Sequence, residues 1–293
     1  MLTFPQKLAE NIWVLGHSLF HSYLVRGKKF SALFEMGMSA TADALISQLS
    51  NLGVCPDYLI VSHPHSDHVC GLAALKKAFP SAAIIAGEGA EEFLAHPKGA
   101  AALIHEDRHV AKGLARLGVV SRQSPITAAP TLSGCLAVPD GKKLDLGGTE
   151  IVFLEAKGHS PGNIVVHVPA VDILLAADSL GNLYIQGGFF PIFFTGYNDY
   201  LATIRLLQAV NPAMVGLAHS GLYTNTPDVQ KAFADSIACA EQARDRILND
   251  AREDEAVAQD IFQYYYHDEL AVFSPENIIG CCRLLVRRVR EIQ

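Results

Sequence analysis

A short segment of the sequence holds four side chains that can bind metal ions. His63, His65, Asp67 and His68 occupy four of six consecutive positions, after a predicted strand and before a predicted helix. Residues two apart in an extended backbone point the same way, so His63 and His65 can hold one cation. Pro64 favours that extended geometry for His63. The turn into the helix directs Asp67 and His68 elsewhere, so the spacing indicates two neighbouring metal positions.

Three more candidate ligands lie in separate parts of the chain. His159 stands in a turn rich in Gly and Pro between two predicted strands, Asp178 follows an apolar strand, and His219 follows Leu217 and Ala218. Each of the three lies where a strand meets a loop, and from such positions several strands can direct ligands at one point. The candidate metal ligands are therefore His63, His65, Asp67, His68, His159, Asp178 and His219.

This set of side chains predicts hydrolytic chemistry with two divalent transition-metal ions as cofactors. Two cations about 3.5–4 Å apart lower the pKa of a shared water toward neutrality and present hydroxide to a carbonyl or phosphoryl centre. One cation can also polarise the substrate oxygen as negative charge develops. Imidazoles and carboxylates suit zinc, iron or manganese, so the sequence leaves the identity of the metal open.

The hydrophobic pattern predicts strands and helices that alternate and a helical C-terminal part. Strands are expected at 12–15, 23–25, 32–34, 58–61, 82–86, 151–154, 164–168 and 173–176, with helices at about 40–51 and 69–79 and an Ala-rich helical stretch to Leu117. Thr226-Pro227-Asp228 and Ser274-Pro275-Glu276 are helix start signals. We predict a catalytic domain over residues 1–225 and a helical extension over 226–293 that caps the active site.

Composition narrows the partners and the location. The net charge of −7 disfavours nucleic-acid binding, and half of the residues are hydrophobic while 18% are charged, as in compact globular proteins. Pro169 and Asp172 interrupt the best apolar stretch, and the N-terminus lacks a signal-peptide layout, so we expect no membrane association and a cytoplasmic location. A small-molecule substrate is expected, and a homodimer is left open.

The order of these motifs resembles the metallo-β-lactamase superfamily, and its glyoxalase II-like branch in particular. The resemblance is carried by HxHxDH at 63–68, GHSPGN at 158–163, Asp178 and His219, and it covers about residues 10–225. It implies an α/β (α+β) fold, an αββα sandwich of two mixed sheets with the metal site at one edge. It further implies that His63, His65 and His159 bind the first metal, that Asp67, His68 and His219 bind the second, and that Asp178 bridges both. Asp67 is also expected to be a catalytic residue.

Some positions separate this chain from particular branches of the superfamily. Asp178 argues against antibiotic hydrolysis, because true β-lactamases of this superfamily lack the bridging aspartate. His65 stands where flavodiiron oxygen reductases usually carry glutamate. Glu35-Met36-Gly37 replaces the Asp-Thr-Gly that the family often has near the site, which leaves open whether Glu35 supports a ligand.

The resemblance narrows the reaction to ester, thioester or phosphodiester hydrolysis. Ligand spacing and the helical tail are similar to those of the quinolone-signal response thioesterase and phosphorylcholine esterase branches. The aromatic-rich stretch 183–198 is either a mobile loop beside a pocket, suited to an apolar acyl or aryl group, or part of the core. We predict an ester or thioester hydrolase; the alternatives are a phosphodiesterase or phosphorylcholine esterase-like hydrolase, a di-iron oxidoreductase, or a regulatory protein that retains the metal site.

Overall fold

In a computed structural model, which describes residues 3–184 and 188–292, the strands of the first half form one mixed sheet. Its order is β1 (Gln6–Ala9), β2 (Ile12–His17), β3 (Phe20–Arg26), β4 (Ser31–Phe34), β5 (Tyr58–Val61), β6 (Ala83–Gly87) and β7 (Leu136–Val138). Strands β1 to β4 pair antiparallel, and β4 to β7 pair parallel. The parallel part places the carboxyl end of β5 beside that of β4 and β6.

The second half of the chain forms another mixed sheet and a small hairpin. The sheet order is β15 (Leu222–Tyr223), β14 (Met214–Leu217), β11 (Ile173–Ala177), β10 (Ile164–Val168), β9 (Glu150–Glu155) and β8 (Lys143–Asp145). Strands β11 and β14 are parallel, and the other pairs are antiparallel. The hairpin consists of β12 (Asn182–Tyr184) and β13 (Gly188–Phe190).

The two sheets pack face to face because successive side chains of each strand point to opposite sides. In β10 and β11, Val166 and Leu175 lie in the core between the sheets, together with Ile60 of β5. Their neighbours Val165 and Leu174 lie in a different core on the outer face of the second sheet. Both faces of these strands are therefore buried, which explains why their sequences are continuous apolar runs.

Helices cover the outer faces of both sheets. They are α1 (Ala42–Asn51), α2 (Ser66–Val69), α3 (Leu72–Ala78), α4 (Ala90–Ala95), α5 (Pro97–Arg116), α6 (Tyr197–Val210), α7 (Thr226–Leu248), α8 (Asp254–Tyr265) and α9 (Pro275–Arg290). Leu45 of α1 and Leu75 of α3 pack against the first sheet. Tyr200 of α6 and Phe233 of α7 join the core outside the second sheet. The αββα sandwich predicted above is therefore confirmed.

The predicted strands and helices are present, with boundaries shifted by a few residues, but some short elements were not anticipated. β7 and β8 span three residues each, and Leu136 is half exposed at the edge of its sheet. Such short edge strands lack the apolar alternation that identifies a strand. Helices α7 and α9 begin at the predicted positions, capped by the side chains of Asn225 and Ser274. The division into a catalytic domain over 1–225 and a cap over 226–293 stays a prediction.

Among the helices that the structure describes, none combines the length and the apolar character needed to cross a membrane.

Candidate metal centre

The seven candidate ligands lie on one edge of the sandwich, at ends of strands in both sheets. His63 and His65 follow β5, and Asp67 and His68 lie in the short helix α2 that comes next. The other three lie in the second sheet: His159 in the turn between β9 and β10, Asp178 directly after β11, and His219 after β14. Because the two sheets pack face to face, these ends converge, and the structure brings together all seven side chains.

The turn that carries His159 depends on a glycine. Gly158 has φ +99°, and a Cβ atom at this position would lie 2.2 Å from the backbone nitrogen of Tyr200. The Gly158 carbonyl accepts backbone hydrogen bonds from Thr195 and Gly196. A residue without a side chain is therefore required to bring helix α6 against this turn and to direct His159 toward the first sheet.

Three imidazoles converge on one point. His159 Nε2 lies 3.1 Å from His63 Nε2 and 3.1 Å from His65 Nδ1. The other ring nitrogen of His159 donates to the carbonyl oxygen of Ile192 at 2.8 Å, which leaves the lone pair of Nε2 directed at the other two rings. A tetrahedral ion with bonds of about 2.0–2.1 Å holds its nitrogen ligands about 3.3 Å apart, so this spacing fits one cation.

A second group consists of Asp67, His68 and His219. His219 Nε2 lies 3.1 Å and His68 Nε2 lies 3.5 Å from Asp67 Oδ2. His219 donates from Nδ1 to the carbonyl oxygen of Leu19 at 3.0 Å. One oxygen and two nitrogens therefore face the same volume, as in the ligand sets of zinc, iron and manganese sites.

Asp178 lies between the two groups. Its Oδ2 is 3.3 Å from His68 Nε2 and 3.6 Å from His159 Nε2, and its Oδ1 is 3.4 Å from His219 Nε2. One carboxylate thus approaches both groups of histidines. This placement agrees with the bridging role that the family resemblance implies for Asp178.

The protonation states of the two groups differ. Burial lowers the pKa of His63 well below its ordinary range, lowers that of His65 to about 3, and also lowers that of His159. Burial alone would also lower the pKa of His68 and His219, but the carboxylate of Asp178 raises both, and Glu35 and Asp67 raise His68 further. The first group therefore consists of neutral imidazoles, whereas the second holds protons that a cation would displace.

Several atoms of the centre have no hydrogen-bond partner in the part of the chain that the structure describes. His68 Nε2, His219 Nε2 and Asp178 Oδ1 are buried and make no hydrogen bond of good geometry, although each lies within 3.1–3.4 Å of an oppositely charged group of the centre. Buried polar atoms nearly always make hydrogen bonds, so three at one point that make none require an explanation. A divalent cation held by these side chains would satisfy them, and the residues present therefore fit a metal in each group.

The structure also answers the question that Glu35 left open. The Glu35 carboxylate accepts a hydrogen bond from His68 Nδ1 at 2.9 Å, and both side chains are almost fully buried. When a cation displaces the proton of Nε2, this bond keeps the remaining proton of His68 on Nδ1 and directs the lone pair of Nε2 into the centre. Glu35, which follows β4 and is longer than aspartate, thus contacts the candidate ligand His68. The sequence alone did not predict this contact.

A cavity of about 470 Å³ extends from the metal centre toward α5 and α9. His65, Asp67, His159 and Asp178 form its floor. Its other walls are mostly apolar and include Phe93, Leu103, Phe190, Ile192, Phe194, Leu270, Phe273 and Leu284. A ligand that reaches the centre through this cavity would place an apolar group against these walls.

The described part of the aromatic-rich stretch 183–198 contributes side chains both to the core and to the cavity. Phe189 and Phe193 are buried in the core, whereas Phe190 and Phe194 line the cavity. The ring of Phe194 lies 5.3 Å from that of His159. Residues 185–187 and the side chain of Tyr184 lie outside the described residues, so the predicted mobility of this stretch stays a prediction.

The comparison with protein families decides the assignment. The model of the metallo-beta-lactamase superfamily matches residues 21–219, which is more than half of the chain and includes all seven candidate ligands. The chain belongs to the metallo-beta-lactamase superfamily. Most members of this superfamily are hydrolases.

Two curated relatives match parts of this chain. The chain is 30% identical over 151 residues to the hydroxyacylglutathione hydrolase of Ruegeria pomeroyi, a match over 50% of this chain and 44% of the relative. It is 26% identical over 202 residues to a metallo-beta-lactamase fold-containing protein of Sulfurisphaera tokodaii, over 68% and 72% of the two chains. The match thus spans less than half of the hydroxyacylglutathione hydrolase. It supports the glyoxalase II-like resemblance, but it does not identify the substrate of this chain.

Solved structures show the same fold. A metallo-beta-lactamase family protein of Thermus thermophilus superposes with TM-score 0.64 at 18% identity, over 93% of each chain. The archaeal superfamily protein of Sulfolobus tokodaii superposes with TM-score 0.60 at 21% identity, over 94% of this chain and 93% of the other. Rubredoxin oxygen:oxidoreductase of Desulfovibrio gigas superposes with TM-score 0.58 at 16% identity, over 81% and 62%. The neighbours therefore include an oxidoreductase, and they establish the fold alone.

Proposed function

We propose that the protein is a dinuclear metal-dependent hydrolase that cleaves an ester or thioester of a small molecule. The observation that carries the proposal is the position of Asp178, whose two oxygens approach His68 and His159 on one side and His219 on the other. A carboxylate between two groups of three ligands suits a pair of cations. His63, His65 and His159 would hold one cation, and Asp67, His68 and His219 would hold the other, with Asp178 shared.

The chain's own residues would bind and orient the reactants around that pair. When bound, the cations supply Lewis acidity that acidifies water and polarises the scissile carbonyl. Asp67 contributes to the second group and also lines the cavity, so its carboxylate can accept a proton or hold a nucleophile facing the substrate. The apolar walls exclude water and hold the acyl or aryl part of the substrate beside the centre.

The helical segment 226–293 contributes to the cavity, which supports the proposal that it caps the active site. Leu270, Phe273 and Leu284 come from this segment and form part of the cavity wall. Ser274, which caps α9, also donates its backbone N–H to Glu106 of α5 at 2.8 Å. The cap would thus determine which substrate enters, while the sandwich provides the ligands.

The test is metal reconstitution followed by a substrate panel. The purified protein is depleted of metal, loaded separately with zinc, iron(II) or manganese, and analysed for metal content. Each form is then assayed with carboxylic esters, acyl thioesters, phosphodiesters and phosphorylcholine esters. We expect about two equivalents of metal and hydrolysis of esters or thioesters above phosphodiesters, with the activity lost in Asp178→Ala and retained in His96→Ala, a substitution of an exposed histidine away from the centre.

Other outcomes would favour the alternatives. Iron that changes redox state, together with oxygen consumption in the presence of an electron donor, would replace the hydrolase by a di-iron oxidoreductase. Two bound metals without turnover on the whole panel would contradict the proposal and favour a regulatory protein that retains the site. A small-molecule substrate, a cytoplasmic location and the absence of a nucleic-acid partner are further expectations of the same proposal.

A further inference from the structure

One phenylalanine of the helical segment 226–293 lies against a candidate metal ligand. The ring of Phe273 is 6.0 Å from that of His219, at an angle of 80° between the ring planes. The ring of Phe20, at the start of β3, is 5.6 Å from the same imidazole at 77°, and the two phenyl rings are 6.3 Å apart. All three rings are buried. The imidazole of His219 thus contacts one phenyl ring from the sandwich and one from the C-terminal segment.

These two rings complete the support of His219. Its Nδ1 donates to the carbonyl oxygen of Leu19, which fixes one atom of the imidazole but still permits rotation about that hydrogen bond. Edge-to-face contacts with Phe20 and Phe273 restrict this rotation. Nε2 must face Asp67 for both to hold one cation, so the orientation of the ring affects the metal affinity of the second group. Of these three supports, Phe273 alone belongs to the C-terminal segment.

A buried carboxylate of α5 fixes the position of Phe273. Ser274, the next residue, donates its backbone N–H to Glu106 at 2.8 Å, and its hydroxyl donates to the other oxygen of that carboxylate. The neighbour of Glu106, Asp107, accepts from the backbone N–H and the hydroxyl of Ser39 at 3.1 and 2.6 Å. Helix α5 is therefore anchored to the loop that follows β4, and through Glu106 it holds Phe273 against His219.

We propose that Phe273 is a positioning residue for the second metal position and that Glu106 holds it there, so that the C-terminal segment and the second cation stabilise each other. The inference rests on the proposed pair of cations and adds a coupling between one of them and the segment that forms part of the cavity wall. A cation orients His219, and Phe273 orients the same ring, so the entropy of ordering it is lost once and not twice. Linkage makes the effect reciprocal.

Zinc binding tests the role of Phe273. Competition with a chelator gives the affinity of each equivalent, and His219→Ala identifies the equivalent that belongs to the second group. In Phe273→Leu we expect this equivalent alone to bind about 3- to 10-fold more weakly, the effect of one aromatic pair. Phe79→Leu is the matched control, because Phe79 is buried to a similar extent in the core outside the first sheet and does not line the cavity. It should leave both affinities unchanged.

Variants at position 106 test the anchor. Glu106→Ala removes both acceptors of Ser274 and should weaken the same equivalent to a similar extent. Glu106→Gln should restore the affinity to within about 2-fold, because the amide oxygen accepts from the backbone N–H and the serine hydroxyl can accept from the amide nitrogen. If Glu106→Ala does not fold, Phe273→Leu leaves the bonds of Ser274 in place and still tests the coupling.

The first sheet offers a matched control for Glu106→Ala. Asp57 accepts from the backbone N–H and the hydroxyl of Ser31 at 2.7 and 3.1 Å, which is the arrangement that Glu106 makes with Ser274. It lies at the amino ends of β4 and β5, at the opposite end of these strands from the ligands. Asp57→Ala should therefore leave the affinity of both equivalents unchanged.

Amide hydrogen exchange measures the coupling in the opposite direction. The second equivalent of zinc should slow exchange in residues 267–280, because an oriented His219 stabilises the contact with Phe273. The factor should be comparable with the loss of affinity in Phe273→Leu. The slowing should be absent from Phe273→Leu and Glu106→Ala, and present in Glu106→Gln and Asp57→Ala.

The possible results separate this coupling from the proposed hydrolysis. An unchanged second equivalent in Phe273→Leu, or an equal loss from both equivalents, overturns the coupling even when esters are hydrolysed. A loss of the same size in Asp57→Ala or Phe79→Leu also overturns it, because general destabilisation then explains the effect. Two equivalents with the expected selective loss, without hydrolysis of any substrate, contradict the hydrolase proposal and leave the coupling standing. Uptake of a single equivalent overturns both.

Discussion

The carboxylate of Glu35 accepts a hydrogen bond from Nδ1 of His68 at 2.9 Å, and both side chains are about 1% exposed. Glu35 follows β4, and His68 lies 33 residues later in α2. The backbone hydrogen bond from Met36 N to the carbonyl oxygen of His68 holds the two segments together. Glu35 and Met36 therefore support the candidate ligand His68 through one side-chain contact and one backbone contact.

Substitution of Glu35 should weaken metal binding in the second group. Loss of a carboxylate that orients a ligating histidine typically lowers metal affinity by about 10- to 100-fold. We expect Glu35→Leu to show the full effect, and Glu35→Gln, which retains an accepting oxygen without the charge, to show a smaller one. Competition with a chelator measures the affinity of each metal equivalent. An equal loss from both equivalents would contradict a contact specific to His68.

Substitution of Asp178 should affect both metal positions. Asp178→Asn keeps the size of the side chain but removes the charge that faces His68, His159 and His219. We expect the metal content to fall from about two equivalents toward one, and the hydrolytic activity to fall at least about 100-fold. Elemental analysis and the ester assay measure the two effects. Full metal content with full activity would exclude a shared position for this carboxylate.

Acid should remove the second metal before the first. Burial lowers the pKa of His63, His65 and His159, so protons compete weakly for these nitrogens even in mild acid. Carboxylates raise the pKa of His68 and His219 against the effect of burial, so protons compete strongly there, and affinity falls as the pH falls. At about pH 5 we expect the metal content to be about one equivalent per chain instead of two.

The same difference predicts which equivalent releases protons. Metal uptake by the second group displaces protons from His68 and His219 near neutral pH, whereas uptake by the first group displaces few. Calorimetric titration in buffers of different ionisation enthalpy counts these protons for each equivalent. Glu35→Gln should reduce the release, because one of the carboxylates that raise the pKa of His68 is then absent. Equal release from both equivalents would contradict the assignment.

Ser274, the N-cap residue of α9, should affect both the stability of the protein and the substrate cavity. The Ser274 hydroxyl accepts from Asn277 N at 3.2 Å, and Ser274 also bonds Glu106 through its backbone N–H and its hydroxyl. We expect Ser274→Ala to lower the free energy of unfolding by about 1–2 kcal/mol. It should also raise KM, because Glu106 and α9 form part of the cavity wall. Urea unfolding and steady-state kinetics measure the two effects.

The start of α7 offers a matched control for that prediction. Asn225 caps α7 by accepting from Asp228 N at 3.1 Å, and it lies outside the lining of the cavity. Asn225→Ala should cost about 1 kcal/mol of stability and leave KM unchanged. If both variants change KM equally, the effect comes from general destabilisation and not from the cavity wall.

Local sequence determined most of the metal centre. The spacing of His63, His65, Asp67 and His68 between a strand and a helix limits where their side chains can point, since two residues of extended chain return to the same face. His159, Asp178 and His219 could be identified from the sequence because each lies next to the end of an apolar strand. Strand periodicity predicted most of the longer strands, the family resemblance implied that they form two packed sheets, and the residues of the turns predicted the starts of α7 and α9.

Only the tertiary structure decided the contacts that depend on packing between distant segments. Glu35 reaches His68, and Phe273 reaches His219, through the pairing of strands and the packing of helices, and no local pattern records such distances. The cavity itself forms because α5, the hairpin β12–β13 and α9 leave a space above the metal centre. Its volume results from how these segments meet, which depends on side-chain packing across the whole molecule.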